Sequence, residues 1–272
     1  MIGSVPEKIH IESNNQFTAS FVYMRTIQRI TIIADSHLGA KKGDVDQMIR
    51  FIRSLNPQED ELLFLGDLFH IWAGPEKYHT PEVTSFLKAL QCFREAEGRV
   101  HLNVGNRDIF FPERLEGDSR QKLPFTSVTR EFISFELQGK KLMAIHGDTV
   151  NSQDLKYLRW RKLVRSPWFR AAFNLAPNAW VKKTMFDLEK KLKQTNVDFR
   201  QAFPLEEWKK FLQRVNEQYT PDLLLIGHFH PHDPIITSHE KMKGIVIPDW
   251  YRDRSYLTIN QNLEYQHHKF EA

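Results

Sequence analysis

Five short apolar segments of this chain each run out into side chains that bind metal ions well. Residues 29–34 deliver Asp35 and His37, and Leu62-Leu63-Phe64-Leu65-Gly66 delivers Asp67. Residues 100–104 lead to Asn106, 141–145 to His146, and 222–226 to His228 and His230. Carboxylate, imidazole and amide-oxygen donors without thiolate suit a hard or borderline divalent ion such as manganese, iron, magnesium or zinc. Seven donors exceed what one ion normally takes from a protein, whereas two ions sharing the two oxygens of Asp67 use them all. Taken alone each piece is weak, because Asp-x-His and His-x-His arise by chance and a single histidine is more often a hydrogen-bonded core or surface residue. Five such pieces in series, each just past an apolar run, point to one shared site.

The hydrophobic pattern supplies the elements that must position these groups. The β-branched run 29–34 reads as a strand. Asp44 with Gln47 three residues on suggests a capping box opening a helix, with Val45, Met48, Ile49, Ile52 and Leu55 at helical spacing. The strand ending at Asp67 completes a βαβ unit. Thr80-Pro81 predicts a second helix start, buried through Val83, Phe86, Leu87 and Leu90. Strands follow over 100–104, 132–137 and 141–145, the last two joined by a turn at Gln138-Gly139-Lys140. The strand 222–226 and closing strands over 244–247 and 256–259 carry Pro248-Asp249-Trp250-Tyr251 between them. In open α/β sheets functional groups gather at the carboxyl ends of strands, where loops converge on one crevice. The expected organisation is an N-terminal extension (1–28), a core (29–150 and 221–272) and an insertion (151–220) of helices broken at Pro167, Pro177 and Pro204.

The chain has 272 residues, 41% hydrophobic and 26% charged, as in ordinary globular proteins, which excludes disorder as the default. A lone cysteine, Cys92, rules out internal disulfides and a cysteine-built zinc site, and its apolar-periodic setting suggests core packing. No apolar window is long enough for a membrane span, and the N-terminus lacks the features of a secretion signal. A cytoplasmic protein, or one lying on a membrane surface, is expected. The net charge of +4 hides an asymmetry: residues 151–220 carry 15 Lys and Arg against 7 Asp and Glu, or +8, leaving −4 for the rest. Such a segment favours an anionic partner: nucleic acid, acidic lipid or a phosphorylated ligand.

Asp35-x-His37, Gly66-Asp67, Gly105-Asn106-Arg107-Asp108, His146-Gly147-Asp148 and Gly227-His228-x-His230 resemble the motifs of the calcineurin-like metallophosphoesterases. Gly66-Asp67-Leu68-Phe69-x-x-Trp72, the Asn-Arg-Asp triplet, His-Gly-Asp-Thr149 and Asp249-Trp250-Tyr251 are most similar to the UDP-2,3-diacylglucosamine pyrophosphatases of lipid A synthesis. The resemblance spans roughly residues 29–260. It implies an α/β, four-layer αββα sandwich of two mixed sheets with a helical cap insertion. It also implies two divalent metal ions, Mn(2+) first among them. One would be held by Asp35, His37, Asp67 and His230, the other by Asp67, Asn106, His146 and His228. Catalytic roles fall to Asp67, Asn106 and Arg107, and substrate contacts to Asn106, Arg107 and His228. Asp108 and Asp148 would orient the ligands. The implied reaction is hydrolysis of a lipid-linked nucleotide, by an enzyme peripheral on the inner face of the inner membrane. Alternatives kept open are a phosphoesterase acting on another nucleotide, lipid or nucleic-acid diester, and a scaffold that has lost catalysis.

Arg107 departs from the histidine usual at its position. A departing nucleotide phosphate, with a second pKa of about 6, needs no proton donor, and a guanidinium supplies instead a fixed positive charge with a planar fork. His70 stands where the pyrophosphatase family often has Glu and, like His79, His101, His232 and His239, receives no role. In the insertion, cations alternate with apolar residues from Leu155. Trp168, Phe169, Phe173, Leu175, Trp180, Val181, Met185 and Phe186 extend the apolar supply, as expected of an interfacial helix meeting a membrane and a diacylated substrate. The competing reading is that these aromatics only fasten the cap to the core. No dedicated nucleic-acid module is recognisable. The family's sugar-binding residues cannot be matched to 188–196.

Overall fold

The apolar runs pair into two stacked sheets in the computed structural model. It describes residues 27–70, 72, 74, 76, 79–108, 110–112, 115, 123–166, 168–169 and 203–271, with the backbone of 9–13 and 16–19. The six-stranded sheet joins β3 (Arg29–Ile33), β4 (Asp60–Leu65), β5 (Arg99–Asn103) and β6 (Ser127–Thr129) in parallel. β12 (Ser255–Asn260) and β13 (Tyr265–Lys269) add antiparallel strands at one edge, in the order β13-β12-β3-β4-β5-β6. The seven-stranded sheet has a parallel centre of β8 (Lys140–Ile145), β9 (Leu223–Ile226) and β11 (Met242–Val246). Flanking it are β10 (Ile235–His239), β7 (Ile133–Leu137) and the N-terminal pair β1 (Ile9–Ser13) and β2 (Gln16–Ala19), in the order β10-β11-β9-β8-β7-β1-β2. The N-terminal extension thus adds two strands to a sheet edge.

Three apolar layers hold the sandwich together. Helices α1 (Asp44–Ser54) and α2 (Pro81–Glu95) pack Met48, Phe51, Phe86 and Leu90 onto the six-stranded sheet. Ile30, Ile32, Leu63, Phe135, Leu225 and Leu257 fill the space between sheets. On the far side α4 (Leu205–Tyr219) lays Trp208, Phe211, Leu212 and Val215 on Met143, Leu224 and Val246. The result is four layers, helix–sheet–sheet–helix, as the resemblance implies. Helix α4, which the sequence pattern places in the insertion, is the outer layer of the seven-stranded sheet. Gly244 of β11 makes room for it, because a Cβ there would strike the Trp208 and Leu212 side chains. The described part of the insertion is α3 (Leu155–Val164) with residues 168–169. Pro167, Phe173, Leu175, Pro177, Trp180, Val181, Met185, Phe186 and residues 188–196 lie outside the described residues.

Local chemistry explains most element ends. The Thr80 side chain accepts the Val83 N–H at 3.3 Å and Pro81 opens α2, as the sequence predicts. Gln138 and Gly139 both have positive φ, 48° and 74°, the signature of a two-residue type I′ hairpin. Two expectations need correction. Asp44 is not a capping-box residue: the N-cap is Gly43, and the Asp44 carboxylate accepts the Gly39 and Lys41 N–H groups, folding the preceding loop. Cys92 is exposed rather than packed, because the buried face of α2 runs through Phe86, Ala89, Leu90 and Phe93.

Candidate metal centre

All seven proposed donors arise at the carboxyl ends of parallel strands, and the loops carrying them are laced together. Pairing of β3 with β4 continues past the strands: Asp35 N–H bonds to Gly66 O (3.1 Å), His37 N–H to Asp67 O (2.9 Å) and Leu38 N–H to Leu68 O (2.9 Å). The two sheets are stitched at this end by His228 N–H to the Asp35 carboxylate, 2.8 Å, and by His146 N–H to the Asn103 side chain, 2.6 Å. Buried Asp108 accepts the N–H groups of Leu68 (3.3 Å) and Gly105 (3.0 Å), joining the loops after β4 and β5.

Within this frame, donor atoms of Asp35, His37 and His230 lie within 4.8 Å of one another, and so do those of Asp35, Asp67 and His146. Asn106 Oδ1 is 3.0 Å from His146 Nε2, and the His228 ring is 5.1 Å from that of His146. Seven side chains from five loops therefore converge. The carboxylate common to the two close groups is Asp35, while Asp67 Oδ1 accepts the Arg107 N–H at 2.8 Å.

Backbone strain concentrates on the same residues. Asp35, His37, Asp67, His228 and His230 adopt φ between 45° and 69°, a left-handed region that L-residues avoid. Each such residue costs of order 1–3 kcal/mol and persists only where its surroundings over-determine it, typically at functional sites. Two glycines permit the close approach. A Cβ on Gly66, at φ 81°, would run into the His146 ring, and one on Gly105 into Asp67.

The electrostatics fit cations. Asp35 Oδ1 and His37 Nδ1 are buried without a hydrogen-bond partner, although His230 Nε2 stands 3.2 Å from the former. Burial opposes ionisation of Asp35, yet the imidazoles of His230, His146 and His37 hold its carboxyl well below the usual range. His230 shows the reverse balance: burial disfavours its charge, but Asp35 and Asp249 push its pKa up to about 10. Burial, then Arg107, pushes His37 well down, and burial with the charge of His146 pushes His228 down to about 4. Burial and the neighbouring Asp67 push Asp108 up to about 7. Burial and the charge of Asp35 push Asp67 up, and neighbouring carboxylates push His146 up against its burial, so the packed carboxylates and imidazoles share protons that a divalent ion would displace.

Around the donors stand residues that hold them in place. Arg107, almost fully buried, has Nε 3.6 Å from Asp67 Oδ2 and Nη1 3.3 Å from His70 Nδ1. Asp148 accepts from Tyr157 Oη (2.5 Å) and Arg161 Nε (2.7 Å), with Arg165 Nη2 at 3.5 Å, so it ties α3 to the loop carrying His146. Asp249 receives His230 Nδ1 at 2.7 Å and also binds Arg252 Nε at 2.7 Å. Asn103 spans the sheet gap, accepting from His146 and donating to Glu131 O at 2.6 Å. Sequence reasoning gave no role to His70, Asn103 or Asp249. The Asp249-Trp250-Tyr251 motif was the available signal for the last.

A family model for calcineurin-like phosphoesterases matches residues 28–232. The chain belongs to the calcineurin-like phosphoesterase family. Proteins named UDP-2,3-diacylglucosamine hydrolase match over nearly their whole length. That of Vibrio cholerae serotype O1 strain El Tor Inaba N16961 is 30% identical over 246 residues, covering 85% of this chain and 94% of its own. That of Vibrio atlanticus is 28% identical, covering 88% and 96%. That of Histophilus somni is 25% identical, covering 87% and 98%. This phosphoesterase is a hydrolase, and its family implies divalent metal ions, for which the clustered side chains are possible ligands. Among the described residues no helix is long and apolar enough to cross a membrane.

Proposed function

We propose that this phosphoesterase hydrolyses the pyrophosphate bond of UDP-2,3-diacylglucosamine, giving UMP and 2,3-diacylglucosamine 1-phosphate. Two divalent ions, manganese foremost, would be held by Asp35, His37, Asp67 and His230 and by Asp67, Asn106, His146 and His228, with Asp67 shared. The observation that carries the reading is the convergence of these seven side chains, five of them on strained backbone, in a chain whose relatives are named for that substrate. When bound, such a pair of ions supplies Lewis acidity to water and to the phosphoryl oxygens.

The chain's own residues do the rest. Arg107, fixed between Asp67 and His70, presents a guanidinium whose charge and planar fork suit diphosphate oxygens. A leaving phosphate with a second pKa of about 6 departs without a proton donor, so no histidine is required at that position. Asn106 and His228, the latter kept neutral, both stand beside His146 and are assigned to substrate contact. Asp108 and Asp148 orient the loops that carry them.

The insertion suits a lipid substrate and a membrane surface. On α3 and beyond it, Leu155 and Leu163 are 59% and 61% exposed and Trp168 is 86% exposed, beside exposed Lys156, Arg159 and Lys162. Apolar and cationic side chains on one short helix favour a position in the interface of an anionic leaflet, here the inner face of the inner membrane. The test is incubation of the manganese-loaded protein with UDP-2,3-diacylglucosamine. UMP and the acylated sugar phosphate are the expected products. Absence of turnover, with activity on cyclic nucleotides or nucleic acid, would overturn the proposal.

A further inference from the structure

A second concave surface borders the metal centre, and its chemistry differs from that of the insertion. A cleft of about 210 Å³ lies where β3 and β11 end, lined by Lys41, Lys42, Arg252, Arg254, Tyr251 and one carboxylate, Asp44. It reaches Ser36, between Asp35 and His37, and the Tyr251 ring stands edge-on to His37 with centroids 5.5 Å apart. It therefore lies against the loop that carries Asp35 and His37, with the Tyr251 ring in contact with both Lys41 and His37. Helix α3, hung from Asp148, approaches from beside His146 instead.

The cleft is preorganised for an anion. Four cations face the one lining carboxylate, Asp44, whose oxygens are held by the Gly39 and Lys41 N–H groups, so the net field of the cleft is positive. Arg252 is braced by Asp249 and by the carbonyl of His230, so its position is coupled to a metal-ligand candidate. Lys41 Nζ donates to Tyr251 O at 2.8 Å and sits 3.9 Å over the centre of the Tyr251 ring. An ammonium has three N–H donors, so two remain for a ligand once that contact is made. Arg254 adds a planar fork beside it, suited to phosphate oxygens or paired hydroxyls. A side chain fixed before binding loses less entropy when the ligand arrives.

We propose that this cleft receives the nucleoside-phosphate half of the substrate, with Lys41 and Arg254 as specificity-determining residues. The inference rests on the pyrophosphate reading above. It divides the substrate physically: the nucleotide side lies on the cationic cleft beside His37, and the acylated sugar lies under the apolar insertion beside His146. The scissile diphosphate spans the two.

Lys41→Ala and Arg254→Gln test it, each first shown to melt as the parent does. UMP and, separately, inorganic phosphate are titrated calorimetrically into the manganese-loaded proteins, and KM and kcat are measured for UDP-2,3-diacylglucosamine. Loss of one charge-assisted contact should weaken UMP and raise KM by about tenfold, with kcat changing far less. Phosphate binding should change less than UMP binding. Unaltered UMP affinity and KM in both variants would overturn the inference while leaving the pyrophosphatase reading intact, as would equal losses for UMP and phosphate. Failure of the parent to turn over the lipid nucleotide, with UMP binding still dependent on Lys41, would remove the substrate reading and support the cleft as a nucleotide site. Unaltered UMP binding accompanied by lost binding to phosphatidylglycerol vesicles would assign the cations to lipid headgroups and overturn it.

Discussion

Replacing Asp148 by alanine should detach the start of the insertion from the core. Its carboxylate, 5% exposed, accepts from Tyr157 and Arg161 and faces Arg165, and these contacts join α3 to the His146 loop. Removing one partner of a buried ion pair costs about 3–5 kcal/mol, because the remaining charges lose their partner away from water. The Arg161 side chain, a quarter exposed, can turn to solvent, which favours the lower end, about 3 kcal/mol. For a chain of this size each kcal/mol shifts the melting temperature by about 2–4 °C, so a fall of about 6–12 °C is expected by calorimetry. Asp148→Asn keeps an acceptor for Tyr157 but removes the charge, and should cost about half as much. The pH dependence has a definite sign. Burial opposes ionisation of Asp148, but His146, Arg161 and Arg165 hold its pKa below the unfolded value of about 3.9. Its stabilisation is therefore fully present above about pH 5 and lost as pH falls below about 4, so the gap between parent and Asn variant should narrow there. An alanine variant that melts within about 1 °C of the parent at pH 7 would refute the anchoring role.

Three further outcomes follow from the geometry. Gly66→Ala places a Cβ against His146 at a backbone angle that costs an L-residue about 1 kcal/mol, so metal content measured by mass spectrometry should drop below that of the parent. Asp249→Asn removes the carboxylate that orients His230, and manganese affinity should fall about 10–100-fold in a calorimetric titration, an unchanged affinity counting against the assignment. Because the His230 pKa is pushed up to about 10, the ring is protonated at pH 7 and must lose its proton to ligate. Metal binding should release protons, tighten as pH rises, and show heats that depend on the buffer's ionisation enthalpy.

Much of the fold is written in the local pattern. β4 and β9 are buried throughout and β3 from its second residue, so they appear as largely apolar runs, and the candidate ligands lie within a few residues of their ends. Gln138-Gly139 and Thr80-Pro81 are short-range signals, and both behave as their chemistry dictates. The less legible features depend on distance. An amphipathic stripe on α4 tells that something is buried but not against what, and only the packed sheet shows that it covers β8, β9 and β11. Arg107 meets His70 and Asp67 across 37 and 40 residues of chain, and His146 meets Asn103 across 43, spacings that no periodicity encodes. The left-handed backbone at Asp35, His37, Asp67, His228 and His230 is equally hidden, since none of these residues is glycine. Cys92 shows the opposite error: an apolar-looking neighbourhood placed inside a residue that the helix turns outward.

The central claim is that one aspartate and six other side chains hold a pair of cations. Anomalous diffraction at the manganese edge, from crystals soaked in manganese, tests it directly. The account predicts two peaks about 3.5–4 Å apart, one against Asp35, His37 and His230, the other against Asn106, His146 and His228, with Asp67 touching both. A single peak, or two peaks that do not share Asp67, would contradict it.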